Sequence, residues 1–378
     1  MPSIKRIKKM SASPIQKILF GSPGTGKSYQ IENDIAKTEL GIDKNSQNYI
    51  ATVFHPEYTY GDFMGKLMPL TNDNGKVEYS FYCGHFLKAL AQAYKNIIKK
   101  NIQLGFEKQN ADKADNVILV IDEINRGNSA AIFGTVFQLL DRQTNGWSSY
   151  SVNISDLEFK AFLKEMSFEM DHTYNKNGMI KGVHYKFDEK DIIKEEYEQY
   201  LAALQEDSSK NASPIKNHKI KIPPNLSIVA SMNTSDNSIY FMDSAFKRRW
   251  EWEFVCIEAS KAAVDHIEMD DKKGKWSDFV DKLNAFFVEN HRVVRKIEDK
   301  QIGYFFIKAN ETNIITQKQI KNKLMFFVWD SVFTTDKKPL AKLLEIKNEQ
   351  ELVTFGQFTT DDNVEKFIDN IIERKAND

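Results

Sequence analysis

Apolar positions along this chain follow two rhythms that alternate. Short runs, "IQKILF" (15–20), "NYIATVF" (48–54), "NVILVID" (116–122), "NLSIVASMN" (225–233) and "WEWEFV" (250–255), read as strands. The third is apolar without a break, as expected of a strand covered on both faces. Between the runs the spacing becomes helical: "YQIENDIAKTEL", "FLKALAQAYKNIIKK" (86–100) and "SAAIFGTVFQLLD" (129–141), where Ile132, Val136, Phe137 and Leu140 share one side. Strands alternating with helices predict an α/β fold around a parallel sheet.

Two segments interrupt the alternation. Residues 68–84, "MPLTNDNGKVEYSFYCG", carry Asn-Gly between alternating stretches, the signature of an inserted hairpin. Residues 145–222 form a longer insertion with a mixed-charge part, "EKDIIKEEYEQYLAALQED", which reads as helical, and the polar "SSKNASPIKNHK". A structureless stretch of that length is not expected inside a domain, so it should carry its own hairpin or helices. Beyond 257 the pattern is mainly helical, in "KWSDFVDKLNAFFVENHRVV", "TQKQIKNKLMFFVWDSVF" and "VEKFIDNIIERKAND". The expected organisation is a basic tail (1–14), an α/β domain (15–257) and a helical domain (258–378).

Composition narrows the class without naming it. With 378 residues, 41% hydrophobic and 28% charged, the chain can build a sizeable core. A net charge of −1 argues against a dominant nucleic-acid surface. Its two cysteines, Cys83 and Cys256, are far apart and form no CxxC, which fits a reducing cytoplasm and excludes a disulfide framework. No apolar run reaches the roughly 20 residues of a membrane span, and the basic start "MPSIKRIKKM" lacks the apolar stretch of a signal peptide.

The chemistry begins at "GSPGTGKSY", residues 21–29. Gly21, Gly26, Lys27 and Ser28 satisfy G-x-x-x-x-G-K-[ST], after an expected strand and at the start of an expected helix. In such a loop the backbone N–H groups turn inward toward phosphate oxygens, so Gly21, Ser22, Pro23, Gly24, Thr25 and Gly26, followed by Tyr29, make up the nucleotide-binding stretch. Lys27 neutralises phosphate charge and the Ser28 hydroxyl suits Mg²⁺. The second half is "VIDEINRGN" (120–128). Asp122 suits Mg²⁺ and Glu123 suits a general base for the attacking water. At the end of the next strand, "SMNTSD", the amide of Asn233 can orient water without becoming charged. Asp236 is either an orienting group or a turn cap. Arg248 and Arg249 in "DSAFKRRW", beside Lys247, together with Arg126, are candidates for a phosphoryl-stabilising arginine supplied by a neighbouring subunit.

Taken together, "GSPGTGKS", "VIDEINRGNSAAIFGTVFQLLD" and "SMNTSDNSIYFMDSAFKRRW" resemble the AAA+ module of the McrB group, GTP-hydrolysing subunits of modification-dependent restriction systems. "FHPEYTYGDFMGKLMP" (54–69) is similar to the segment after the group's second strand, and "QIGYFF" (301–306) to its glycine-aromatic stretch in the C-terminal lid, without the usual His-Ser. The resemblance covers about residues 15–330. It implies a five-stranded sheet in AAA+ order, a helical lid, a homo-hexameric ring with sites between subunits, GTP as substrate and an McrC-like nuclease partner. By the same resemblance Lys27 and Ser28 bind phosphate and Mg²⁺. Asp122 and Glu123 form the Walker B pair, Asn233 is the sensor with Asp236 in the same signature, and Arg126, Arg248 and Arg249 match the trans-acting arginines. Family members commonly carry a DNA-recognition domain ahead of the loop; here 20 residues precede it, so either DNA contact is made through another chain, the complex or the insertion, or this is a truncated form. No N-K-x-D guanine-reading motif is present. The alternative is an ATP-driven remodeller of the MoxR and dynein-related branch, which shares both insertions. A binding module whose nucleotide only locks assembly has no use for Glu123.

Overall fold

The five apolar runs become five strands of one sheet: β1 (Gln16–Gly21), β2 (Tyr49–Val53), β3 (Val117–Asp122), β4 (Leu226–Asn233) and β5 (Glu251–Phe254), in the order β5-β1-β4-β3-β2. The computed structural model describes residues 13–71, 74–106, 111–174, 180–202, 218–234, 240–270, 274–346 and 352–374. The expected AAA+ sheet is therefore present. Inside the sheet, β3 is buried from Val117 to Ile121, which is why it reads as an unbroken apolar run, and β4 is buried from Leu226 to Ser231. At the edge, β2 leaves Val53 exposed.

Register decides which strand ends meet. β4 runs parallel to β3 with Ala230 opposite Ile121, and β2 runs parallel to β3 with Val53 opposite Asp122. Val53, Asp122 and Ser231 therefore end up together at the carboxyl edge of the sheet, the edge where parallel α/β sheets bind ligands.

The helix His85–Leu104 buries Phe86, Leu87, Leu90, Tyr94, Ile97 and Ile98. Phe133 anchors an aromatic cluster, with Phe63 at 4.6 Å, Phe246 at 5.3 Å and Trp250 at 6.2 Å between ring centroids. The helix expected over 129–141 is split. Ser129–Phe133 is α-helical, Gly134 turns the chain at φ 48°, and Gly134–Leu140 continues as a tighter 3₁₀ helix. Ile132, Val136 and Leu140 are nonetheless all buried.

The first insertion is a hairpin of Gly65–Thr71 with Val77–Cys83, beginning a few residues before the expected 68. The second holds the helix Asp156–Glu165, an antiparallel sheet of Phe168–Tyr174, Ile180–Phe187 and Lys190–Ile192, and the helix Lys194–Ala202. The stretch read as helical from 189 thus opens as a strand. Asp188 and Glu189 both take positive φ (50° and 66°), the geometry of a two-residue hairpin turn, and this commits the next residues to pairing. Asp188 also bonds Lys95 at 3.0 Å and Lys99 at 2.8 Å on the helix His85–Leu104. The neck of the insertion is closed by Arg142, which donates to the carbonyls of Gly146 (2.8 Å), Pro223 (3.1 Å) and Leu226 (2.6 Å).

From 257 onward a separate apolar core forms around Trp276, Phe279, Leu283, Phe287, Leu324, Phe333 and Phe367. Its helices include Trp276–Glu289 and Asp361–Ile372, both expected from their spacing. Two compact units partition the chain: Met1–Ile18, Ser28–Ser231 and Ser238–Trp252 in one, and Leu19–Lys27, Met232–Asn237 and Glu253–Asp378 in the other. The glycine-rich loop therefore clusters with the C-terminal helices. Among the described residues no helix is long and apolar enough to cross a membrane.

Candidate functional site

The glycine-rich loop leaves β1 and enters the helical segments Lys27–Tyr29 and Gln30–Glu39, the second with wide π-type turns. Lys27 is almost fully buried, its ammonium donating to the carbonyls of Gly21 (3.0 Å) and Ser22 (2.8 Å) across the loop. Thr25 Oγ1 donates to Ser22 O at 3.1 Å, tightening the same turn. On the outside of the loop, Pro23 O accepts from Gly303 N (2.8 Å) and Gly24 O from Phe305 N (2.9 Å). Tyr29 is exposed. The N–H of Thr234, just after Asn233, lies 3.5 Å from Gly21 O, so the half-buried Asn233 ends β4 beside the loop.

Two expected residues of the other unit, Ser28 and Asp122, meet at the carboxyl edge of the sheet. Ser28 and Asp122 line one cleft of about 230 Å³, together with Glu32, Lys44, Tyr49, Thr52 and Val53. Ser231 Oγ donates to the Asp122 carboxylate from the adjacent strand. Lys44 pairs with Glu32 at 2.7 Å on the wall of the cleft. Burial, with a smaller contribution from Glu32, raises the Tyr49 phenol above its ordinary pKa. Ser28 and Asp122 offer a hydroxyl and a carboxylate, the hard oxygen donors Mg²⁺ prefers. Among the described residues no group of three or more His, Cys, Asp or Glu could hold a metal by itself. Mg²⁺ is commonly bound through one or two carboxylates plus substrate phosphates.

Glu123 follows in a left-handed backbone conformation (φ 53°), uncommon for a residue with a side chain and typical of functional turns. The turn is fixed on both sides: Ile124 N donates to Ser231 O (3.0 Å) and Arg126 N to Glu123 O (2.9 Å). Asn125 is fully buried and its carbonyl accepts from Tyr240 N at 2.9 Å. Asn128 caps the helix Ser129–Phe133 through Ala131 N, at 3.2 Å. Most of the I-N-R-G-N phrase is thus turn scaffolding, while Arg126 is exposed.

The basic cluster divides. Arg248 is exposed at the end of the helix Ser244–Lys247. Arg249 is committed inside its own unit: it pairs with Asp141 at 2.6 Å, donates to Ala245 O at 2.7 Å and lies 3.9 Å over the Phe137 ring. Its side chain is only 8% exposed. Lys247 sits 5.0 Å from the Phe241 ring. Asp236 lies outside the described residues.

Ser231 escaped the sequence reading because a serine inside an apolar strand carries no signal until the register places it opposite a carboxylate. Gly303 stood in a noted stretch, yet its approach to the loop needs the tertiary fold.

A family model described as AAA domain (dynein-related subfamily) matches residues 16–250, more than half of the chain. The chain is 28% identical over 393 aligned positions to the "Type II restriction enzyme BsuMI component YdiS" of Bacillus subtilis (strain 168), covering 97% of this chain and 92% of that one. It is 26% identical over 241 positions to the "Type IV methyl-directed restriction enzyme EcoKMcrB subunit" of Escherichia coli (strain K12), covering 64% of this chain and 35% of that subunit. The McrB resemblance read from the motifs is therefore found independently over long alignments. The strand order, the loop and the matched model lead to one conclusion: the chain belongs to the AAA domain family, in its dynein-related subfamily.

Proposed function

We propose that this protein is a ring-forming AAA+ motor that hydrolyses GTP and thereby drives a partner nuclease in the restriction of foreign or modified DNA. The observation that carries the enzymatic part is the shared cleft of Ser28 and Asp122, with Ser231 fixing the carboxylate. The restriction role is supported by the two relatives, whose descriptions name restriction enzymes.

In this reading the loop backbone from Gly21 to Gly26 wraps the phosphates and Lys27 exchanges its two carbonyl contacts for phosphate oxygens. Ser28 and Asp122 hold Mg²⁺, which neutralises charge developing on the phosphoryl oxygens when bound. Glu123 accepts the proton of the attacking water, and Asn233 orients that water. Arg126 and Arg248, both exposed, are the candidates to serve a neighbouring copy's nucleotide, which makes the assembled ring the active form. Residues 1–14 are a basic tail, 15–257 the catalytic domain and 258–378 the lid.

Turnover measured with all four ribonucleoside triphosphates, alongside sedimentation with and without nucleotide, tests this. GTP should be preferred and nucleotide should promote a ring; preferred ATP would reject the GTP assignment. The second reading, an ATP-driven remodeller of protein complexes, draws on the dynein-related family model and the two insertions. Affinity capture from native cells separates them: a nuclease subunit supports the first, a metal- or cofactor-bearing client the second.

A further inference from the structure

The glycine-rich loop is gripped from behind by its own unit. The backbone N–H groups of Gly303 and Phe305 hold the carbonyls of Pro23 (2.8 Å) and Gly24 (2.9 Å), and Ser22 Oγ donates to Glu298 O at 2.8 Å. The segment that does this is itself pinned by one helix, Trp276–Glu289. Asn284, almost fully buried, spans the backbone of Ile302 with both ends of its amide: Nδ2 donates to Ile302 O (2.9 Å) and Oδ1 accepts from Ile302 N (3.0 Å). Trp276 Nε1 donates to Tyr304 O at 2.8 Å, and Tyr304 OH donates to Asp281 at 2.6 Å. Lys261 holds the other oxygen of Asp281, also at 2.6 Å.

The fit leaves no spare room. A Cβ at Gly303 would stand 2.2 Å from Gly24 O and 2.5 Å from Thr25 N, and a Cβ at Gly24 would stand 2.5 Å from Phe306 N. These are backbone atoms on both sides, so no side chain can yield.

A peptide unit is planar and trans, so its C=O and N–H point in opposite directions. The Pro23 carbonyl shares its peptide with the Gly24 N–H, and the Gly24 carbonyl shares its peptide with the Thr25 N–H. Fixing the two carbonyls toward Gly303 and Phe305 therefore aims the two amides the other way. Recognition of phosphate by such a loop depends on where its amides point.

We propose that Asn284 and Gly303 are positioning residues for nucleotide binding: through Ile302–Phe305, the helix Trp276–Glu289 sets the direction of the Gly24 and Thr25 amides. This rests on the reading above that the loop binds a nucleoside triphosphate. The phosphates are held alike in ground and transition states, so the effect falls on affinity and not on turnover at saturation.

The test uses the full chain with Mg²⁺ and N-methylanthraniloyl-labelled GTP and ATP, comparing the wild type, Lys27→Ala, Gly303→Ala and Asn284→Asp. Asn284→Asp keeps the acceptor for Ile302 N and removes the donor to Ile302 O. Gly303→Ala should raise Kd at least about tenfold and Asn284→Asp about fivefold. The kcat at saturating nucleotide should stay within about threefold of the wild type. Folded variants with wild-type Kd, or with loss confined to kcat, would overturn the proposal. If Gly303→Ala does not fold, Asn284→Asp and Asn284→Ser decide by the same criteria. Absence of binding by the wild type, or full binding by Lys27→Ala, marks failure of the underlying loop reading, and the proposal falls with it.

Discussion

Ser231, on β4, donates its hydroxyl to the carboxylate of Asp122 at the end of β3. The register makes this contact unavoidable: Ala230 pairs with Ile121, so the next residue of each strand lies at the same height. A carboxylate fixed by a neighbouring hydroxyl needs no reorganisation to meet a cation.

Ser231→Ala removes that restraint without changing the strand. A hydrogen bond to a charged group contributes about 1.5–3 kcal/mol to stability, so unfolding free energy should fall by up to that amount and the Mg²⁺ concentration for half-maximal turnover should rise. Titration of Mg²⁺ at saturating nucleotide measures it; an unchanged midpoint would remove Ser231 from the site.

Glu123 has the left-handed backbone of a committed turn, and the proposed function makes it the general base. Glu123→Gln keeps size and hydrogen bonding but cannot take a proton. Turnover should fall at least about a hundredfold, while nucleotide binding persists and the assembled ring becomes longer-lived. Single-turnover assays and sedimentation read these separately, and undiminished hydrolysis would sink the assigned role.

The arginines should separate stability from catalysis. Arg249→Ala breaks a largely buried pair with Asp141 and uncovers Phe137, so it should cost about 3 kcal/mol of stability by denaturant unfolding. Arg248→Ala should leave stability unchanged and lower turnover about tenfold or more. If Arg248 acts on a neighbour, mixing Arg248→Ala chains with Glu123→Gln chains should recover part of the lost activity. No recovery in mixed rings would place Arg248 outside the neighbour's site.

Asp188 ties the insertion to the helix His85–Leu104, and hydrogen bonding to Lys99, then to Lys95, holds its carboxyl below the ordinary range. A depressed folded-state pKa contributes stability that is present above the unfolded value, near 3.9, and is lost as pH falls through the lower folded value. The pairs are partly exposed, so Asp188→Asn should cost at most about 1 kcal/mol. Proteolysis within the insertion should quicken at neutral pH, and the difference from the wild type should vanish in acid. Equal cleavage rates at neutral pH would show that Asp188 does not hold the insertion.

By itself the sequence determined the sheet, the loop and the carboxylate pair. Each is written locally: apolar runs such as "NVILVID" can only bury themselves between two layers, and glycines with a lysine at fixed spacing shape a phosphate loop over a few residues. The sequence did not reveal the turn at Asp188 and Glu189, because two acidic residues do not announce a left-handed pair and the Lys95 and Lys99 partners lie far along the chain. The tertiary structure alone divided the adjacent Arg248 and Arg249 into an exposed side chain and one bound to Asp141. Likewise it brought Ser231 to Asp122 and Gly303 to Gly24, since register and backbone approach depend on residues that only folding makes neighbours.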